Sequence, residues 1–178
     1  QEKLLRLELR LIADVGLIGQ PNAGKSTLIS RISKARPKVA NYPFTTLEPN
    51  LGVCTVDDFS FIAADIPGLI RGASKGKGLG HKFLRHIKRT KILVHLIDCN
   101  SHDPLADYHE IRQELKEFSE DLIKKPEIIV ISKVDTLSER DQRKLYAQVA
   151  KLKPLFISTV TGRGINDLLY EIKKKLSK

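Results

Sequence analysis

Residues 19–26 combine two glycines, a lysine and a serine at a spacing that suits phosphate binding. They read Gly19-Gln20-Pro21-Asn22-Ala23-Gly24-Lys25-Ser26, the pattern G-x-x-x-x-G-K-[ST]. An apolar run precedes them and helix-like residues from Thr27 onward follow, which is the strand–loop–helix context of a P-loop. The loop N–H groups and the helix N-terminus would bind phosphate, Lys25 would reach the β- and γ-phosphates, and Ser26 would ligate Mg²⁺. The alternative is a glycine turn that carries Lys-Ser by chance, but both flanks argue against it.

Two further segments carry groups suited to the metal and the γ-phosphate. The first is Asp65-Ile66-Pro67-Gly68, a D-x-x-G at the end of an apolar run. Its carboxylate can hold Mg²⁺ through a water molecule and the Gly68 N–H can reach the γ-phosphate, although this pattern alone is equally typical of a plain turn. The second is Thr45-Thr46 in a proline-rich stretch, where one hydroxyl can complete the Mg²⁺ shell while the γ-phosphate is bound.

Recognition of the base is predicted from Ser132-Lys133-Val134-Asp135, which follows the all-apolar run 128–131. The Asp135 carboxylate can accept from N1–H and N2–H₂ of guanine, whereas adenine would leave that charge unpaired. The Lys133 stem can pack over the base. The segment Ser158-Thr159-Val160-Thr161-Gly162 would offer backbone N–H groups to the guanine carbonyl. Together these segments favour GTP over ATP and over a nucleotide kinase, for which no lid or acceptor site is evident.

The elements that must position these residues alternate between strand-like and helix-like patterns. This alternation predicts an α/β fold, with a mostly parallel six-stranded sheet and helices on both faces. The proline-containing stretch 36–50 is predicted to be a loop. The predicted strands are 11–18, 51–56, 59–64, 92–97, 128–131 and 155–157, with a turn at Asp57-Asp58. The predicted helices are 25–34, 81–89, one that starts near Pro104 and buries residues up to Leu122, 139–151 and 164–177.

Composition limits the class of protein. The 178 residues suit one domain with a hydrophobic core, and no apolar run is long enough to span a bilayer. Cys54 and Cys99 lie in apolar runs without metal-ligand spacing, so we expect reduced core thiols in a cytoplasmic protein. The net charge is +10, and residues 66–97 contain eight lysines and arginines but no acidic residue. This basic stretch indicates a polyanion partner, with RNA the first candidate, or else a solvated face.

The chain is identified as a member of the Obg family of ribosome-associated GTPases, within the TRAFAC class. The resemblance covers essentially the whole chain and is carried by residues 13–26, 42–52, 65–70 and 78–87. It implies a GTPase (G) domain with the P-loop GTPase (Ras-like) fold over 11–178, preceded by an exit segment, 1–10, from a missing N-terminal domain. It also implies that Phe44 and Thr45 contact the nucleotide. By the same resemblance, Thr46 rather than Thr45 is the Mg²⁺ ligand, and Thr46 and Lys25 are the catalytic residues.

The sequence departs from the family pattern at two positions. Ser132 stands where Asn is usual, and a hydroxyl makes fewer hydrogen bonds than an amide, so a loss of ~1 kcal/mol, roughly fivefold in affinity, is expected. Thr159 replaces the usual Ala.

Leu69, just after D-x-x-G, stands where Ras-type proteins carry a water-orienting Gln, so intrinsic hydrolysis should be slow. Asn22 resembles the Asn that holds K⁺ in some related GTPases, so a K⁺ there is one candidate to replace the missing Gln, and His81 is another.

The function expected from these residues is a monomeric GTP-binding switch that slowly hydrolyses GTP to GDP and phosphate. The resemblance adds a role in assembly of the large ribosomal subunit, with contacts to rRNA through the basic stretch and through domains outside this chain. A reading of another class is a binding module, whose GTP, GDP or ppGpp state a partner senses in stress signalling while hydrolysis is incidental.

Overall fold

The computed structural model describes residues 13–35, 38–39, 50–65 and 89–177, and strands alternate with helices along them. The strands are β1 (Val15–Ile18), β2 (Lys38–Val39), β3 (Asn50–Val56), β4 (Phe59–Asp65), β5 (Ile92–Asp98), β6 (Glu127–Ser132) and β7 (Leu155–Phe156). The α-helices are α1 (Lys25–Ile32), α2 (Pro104–Phe118), α3 (Glu120–Ile123), α4 (Glu139–Val149) and α5 (Ile165–Leu176). Short 3₁₀ turns lie at Val134–Thr136 and Ala150–Leu152.

All seven strands form one sheet in the order β2-β3-β4-β1-β5-β6-β7. The five strands from β4 to β7 in this order pair in parallel, whereas β2–β3 and β3–β4 pair antiparallel. The predicted mostly parallel α/β sheet is therefore confirmed. The seventh strand, β2, has two residues and lies in the stretch predicted to be a loop. Because these five strands run in the same direction, their carboxyl ends lie at one edge of the sheet.

Helices cover both faces of the sheet, as alternating residues of β5 show. Ile92, Val94 and Leu96 pack in one apolar cluster with residues of α1 and α5. Leu93 packs in a second cluster with residues of α2 and α3, and Ile97 packs in a third with residues of α4. This explains why β5 is apolar on both faces, with His95 the one polar residue inside the strand, rather than alternating.

The main differences from the predicted boundaries have local causes. Of the predicted strand 11–18, residues 11–12 lie outside the described residues and β1 begins at Val15. Just before it, the Asp14 carboxylate accepts from the Ile62 N–H at 3.0 Å. The helix predicted to run from Pro104 to Leu122 is interrupted at Ser119, whose backbone is extended. The short helix α3 then returns Leu122 to the apolar cluster of α2. The predicted helix 81–89 lies outside the described residues except for Arg89, which is in a turn.

Both cysteines are buried and free, as predicted. Burial raises the pKa of the Cys54 thiol to about 11, so this side chain is neutral at physiological pH. None of the helices in the described part of the chain has the length and apolar character needed to cross a membrane.

The turn before α5 depends on a glycine that no other residue can replace without strain. Gly164 has φ 71°, and a Cβ built there would lie 2.2 Å from the carbonyl oxygen of Phe156. Gly162 also has a positive φ, 85°, but the atom nearest to its Cβ is a movable Arg31 guanidinium nitrogen at 3.2 Å. Any residue with a Cβ would therefore be strained at both positions, but only at Gly164 would that Cβ also clash with the backbone.

We predict that Gly164→Ala lowers the free energy of unfolding by ~3 kcal/mol and that Gly162→Ala lowers it by ~1 kcal/mol, because only the first adds a clash to the left-handed strain. Urea unfolding followed by circular dichroism would measure both changes. Equal losses would show that the contact with Phe156 relaxes freely and that left-handed strain alone decides the cost.

Candidate functional site

The predicted phosphate-binding loop lies between β1 and α1, at the carboxyl edge of the sheet. Its backbone turns through positive φ at Gly19 (144°), Asn22 (65°) and Gly24 (92°). Gly19 also passes so close to β5 that a Cβ would lie 2.2 Å from the Leu96 carbonyl oxygen. Gly24 caps α1 in the left-handed conformation, and Lys25 is the first helical residue. The strand–loop–helix arrangement predicted for residues 19–26 is thus present.

Lys25 extends back along this loop. Its Nζ donates to the carbonyl oxygens of Gly19 (2.9 Å) and Gln20 (3.0 Å). Burial lowers the pKa of the Lys25 ammonium, and the charge of Asp65 opposes that shift. A partly desolvated cation in a loop predicted to bind phosphate would interact with phosphate oxygens much more strongly than an exposed one.

Ser26 and Asp65 provide a donor set that suits a small divalent cation. Ser26 Oγ donates to Asp65 Oδ2, across the gap between α1 and the end of β4. Asp65 is buried, and its Oδ1 has no hydrogen-bond partner among the residues that the structure describes. A hydroxyl beside a buried carboxylate offers hard oxygen ligands, which Mg²⁺ prefers. The other predicted residues of this part of the site lie outside the described residues: Phe44, Thr45, Thr46, Ile66, Pro67 and Gly68.

Ser132 joins the predicted base-recognition segment to the phosphate loop. Its hydroxyl is buried and lies 2.8 Å from the carbonyl oxygen of Ala23 and 3.2 Å from that of Ile97. The position where the family usually has Asn is therefore occupied by a side chain that bonds within the protein. A hydroxyl has one hydrogen, so Ser132 donates to the nearer Ala23 carbonyl or shares that hydrogen between the two.

Lys133 and Asp135 follow Ser132 in the predicted base-recognition segment. Lys133 has a left-handed backbone, φ 61°, and its Nζ lies 2.6 Å from Asp98 Oδ2. Asp135 lies in the 3₁₀ turn Val134–Thr136 and is exposed, so its carboxylate is accessible to a ligand. Thr136 Oγ1 donates to the Lys133 carbonyl oxygen at 2.9 Å and fixes the turn.

The segment 158–162 is preorganised by its own hydrogen bonds. Ser158 is fully buried, and its Oγ accepts from the Thr161 N–H at 3.0 Å. The Gly162 N–H donates to the Ser158 carbonyl oxygen at 2.9 Å. Val160, in contrast, is 75% exposed. Because the Val134 N–H donates to the carbonyl oxygen of Ile157, this loop is attached to the turn that carries Asp135.

Two contacts of the site were not predicted. Gln20 Nε2 donates to Glu110 Oε2 of α2 at 2.6 Å, and Asp98 pairs with Lys133. Glu110 is 90 positions from Gln20 in the chain, and nothing in its local sequence indicates the contact. Asp98 could have been suspected because it ends a buried strand at the edge where the other site residues were expected.

A family model described as "50S ribosome-binding GTPase" matches residues 14–133. GTPase Obg of Endomicrobium trichonymphae is 55% identical over 178 residues, which cover 98% of this chain and 42% of that protein. GTPase Obg of Bdellovibrio bacteriovorus is 50% identical over 194 residues, which cover all of this chain and 57% of that protein. The chain thus spans about half the length of these relatives.

Solved structures show the same fold. The G domain of the T. maritima FeoB iron transporter superposes with a TM-score of 0.66 at 25% identity, over 90% of this chain and 96% of that one. Aquifex aeolicus Era bound to GDP and AlF₄⁻ gives a TM-score of 0.66 at 22% identity, over 90% of this chain and 56% of that one. The likeness to Era is evidence for the fold alone.

The match to the family model and the identity to Obg proteins agree with the strand–loop–helix arrangement at 19–26. The chain therefore belongs to the 50S ribosome-binding GTPase family and is a GTPase domain related to Obg.

Proposed function

We propose that the protein is a GTP-dependent switch that hydrolyses GTP to GDP and phosphate and acts in assembly of the large ribosomal subunit. The observation that carries the nucleotide part is the hydrogen bond from Ser132 to Ala23, because it ties the base-recognition segment to the phosphate loop. One ligand can then contact both loops. The ribosomal part is supported by the family description and by the similarity to Obg proteins.

Each loop has a distinct role in this proposal. Backbone N–H groups of 19–27 bind the phosphates, and Lys25 stabilises negative charge on the β- and γ-phosphates. Asp135 accepts from the guanine edge, Lys133 packs over the base, and the backbone of 158–160 binds the guanine carbonyl. Residues 44–46 and 66–68 are proposed to approach the γ-phosphate, with Thr46 completing the metal shell.

The metal in this proposal is Mg²⁺, held by Ser26 and Thr46, with Asp65 acting through water. When bound, Mg²⁺ neutralises charge on the β- and γ-phosphates. The unpaired Oδ1 of Asp65 and the Ser26 hydroxyl beside it support this assignment. Leu69 can neither donate nor accept a hydrogen bond, so water activation must come from another group, and K⁺ near Asn22 is our candidate.

The basic stretch from Arg71 to Lys91 is the proposed contact with rRNA. Of this stretch, the structure describes residues 89–91. Its run of lysines and arginines, without an acidic residue from 66 to 97, suits a phosphate backbone. We further propose that the protein works as a monomer in the cytoplasm, where ribosomes are assembled.

Base selection gives the first test of the nucleotide proposal. We predict that the wild type binds GTP and GDP with micromolar or tighter Kd and ATP at least about 100-fold more weakly, because adenine leaves the Asp135 charge unpaired. In Asp135→Asn the preference for GDP over ADP should fall by about 30-fold or more, and xanthosine diphosphate should gain affinity, because the new amide can donate to its C2 carbonyl.

Titrations with fluorescent nucleotides would measure these constants. Asp121→Asn is a suitable control because it removes an exposed carboxylate on α3 and leaves the base-recognition segment intact. If the wild type binds ATP as tightly as GTP, the base-recognition argument is wrong and an ATPase becomes the better interpretation.

Potassium dependence tests the proposed source of positive charge near the phosphates. We predict that single-turnover hydrolysis in K⁺ buffer exceeds that in Na⁺ buffer by about tenfold or more. Removing one preorganised donor to a developing oxyanion costs about 10²–10³ in rate, which sets the upper end for the effect of K⁺. Asn22→Gly should abolish the difference while tolerating the left-handed φ of 65°. Asn166→Gly, in the first turn of α5, controls for the loss of an amide elsewhere. Equal rates in the two salts would eliminate K⁺.

Salt dependence tests the RNA proposal. If six basic side chains contact phosphates, log Kd for rRNA should rise with log salt with a slope of about 4 to 5. Replacing Lys75 and Lys77 by Gln should lower that slope by about 1.4 to 1.8. Replacing Lys174 and Lys175, which lie at the end of α5, removes the same charge elsewhere and should leave it unchanged. A flat response to salt in a filter-binding assay would remove this stretch from the interface.

A further inference from the structure

Asp98 occupies a place at the base-recognition segment that the proposed function leaves without a role. It is the last residue of β5 and pairs in register with Ser132, the last residue of β6. Ser132 is bonded to the phosphate loop, and Lys133 comes next in the chain. Asp98 therefore lies at the same edge of the sheet as the nucleotide-binding loops, one strand away from the segment that carries Asp135.

The contacts of Asp98 hold its carboxylate in a fixed orientation. Oδ1 accepts from the backbone N–H of Asn100 (2.9 Å) and from its Nδ2 (3.1 Å). Oδ2 receives the Lys133 ammonium at 2.6 Å. Burial opposes ionisation, but the hydrogen bonds from Lys133 and Asn100 outweigh it and keep the pKa of Asp98 below its usual value. Asp98 is thus an anion at neutral pH.

A second set of contacts closes a ring around Lys133. Asn100 Nδ2 donates to Thr136 Oγ1 at 3.0 Å, and Thr136 Oγ1 lies 2.9 Å from the Lys133 carbonyl oxygen. Cys99 Sγ donates to the same carbonyl at 3.1 Å. The ends of β5 and β6 are therefore joined around a lysine with left-handed φ. Both the backbone and the ammonium of Lys133 are held, and its four-carbon stem is fixed between them.

We propose that Asp98 is a positioning residue for guanine-nucleotide binding, which holds Lys133 so that its stem lies ready to pack on the base while Asp135 reads the base edge. This inference rests on the proposed function. A lysine stem loses much rotamer freedom when it is immobilised. Where a protein carboxylate already holds the ammonium, that loss occurs on folding instead of on nucleotide binding, and affinity increases.

The ion pair is partly exposed, which limits the expected effect. The exposed fractions of the Lys133 and Asp98 side chains are 35% and 24%, so solvent screens their attraction. We therefore expect Asp98→Asn to raise the Kd for GDP and for GTP about fivefold to tenfold. Both nucleotides should change alike, because Lys133 faces the base and not the γ-phosphate. The preference for guanine over adenine should remain because Asp135 is intact.

A double-mutant cycle tests whether Asp98 acts through Lys133. The Kd for GDP is measured by fluorescence titration for the wild type, Asp98→Asn, Lys133→Gln and the double variant, with urea unfolding to confirm that each is folded. We expect Asp98→Asn to change the Kd by less than about twofold in the Lys133→Gln background. An equally large effect in both backgrounds would overturn the proposed action through Lys133.

The chain offers a matched control in a second aspartate–lysine pair. Asp57, at the turn between β3 and β4, lies 2.7 Å from Lys173 of α5. Asp57→Asn also removes an ion pair, so it should lower stability while the Kd for GDP stays within about twofold of the wild type. If the Kd changed as much as in Asp98→Asn, the effect would be a general consequence of lost stability, and the inference would be wrong.

The outcomes separate this inference from the proposed function. If the wild type fails to bind guanine nucleotides, the proposed function is wrong and this inference is wrong with it. If the wild type binds them and folded Asp98→Asn has the wild-type Kd, the inference alone is wrong. Should Asp98→Asn fail to fold, Asp98→Glu keeps the charge but moves it by one methylene. A loss of about two- to threefold supports the inference, and an unchanged Kd overturns it.

Discussion

The parallel register of β1, β5 and β6 is the constraint on which the site depends. Ile18 pairs with His95 and Asp98 pairs with Ser132, so three strands deliver their carboxyl ends to one edge within a few residues of each other. These strands are buried on both faces, and a shift of register would bring polar residues such as Ser132 into the apolar clusters. Packing of the core therefore fixes the spacing between the phosphate loop and the base-recognition segment before any ligand binds.

The buried Ser132 hydroxyl joins the base-recognition segment to the phosphate loop by a hydrogen bond. Its bond to the Ala23 carbonyl is worth only ~1 kcal/mol net, but losing it would leave a buried carbonyl short of a donor, which costs ~1–3 kcal/mol. The usual Asn would bring more donors and acceptors to the same place. Serine keeps the one bond that joins the two loops. We infer that serine at this position lowers the affinity for guanine but preserves the contact between the phosphate loop and the base-recognition segment.

Among the described residues, the sequence predicted most strands and helices, and the turn at 19–26, where local rules decide them. Glycine spacing predicted the turn at 19–26, and apolar runs located the buried strands, because both signals are local. Contacts between distant residues could not be predicted, such as Gln20 with Glu110, because no periodicity encodes them. The break at Ser119 was also missed, since the apolar spacing of α2 continues into α3 and tertiary packing decides where the helix ends.

Hydrogen bonding separates two kinds of polar group at the site. Ser132 and Ser158 are buried and bonded within the protein, so they serve the structure. Asp65 differs because its Oδ1 has no hydrogen-bond partner among the described residues. The same is true of His95 Nε2, so an unpaired atom does not by itself identify a ligand site. What distinguishes Asp65 is its neighbours, the Ser26 hydroxyl and the partly desolvated Lys25 ammonium in the predicted phosphate-binding loop. The combination of an unpaired carboxylate oxygen with a partly buried cation is costly for an isolated protein, and a metal–phosphate ligand, which brings charges of both signs, would satisfy both groups.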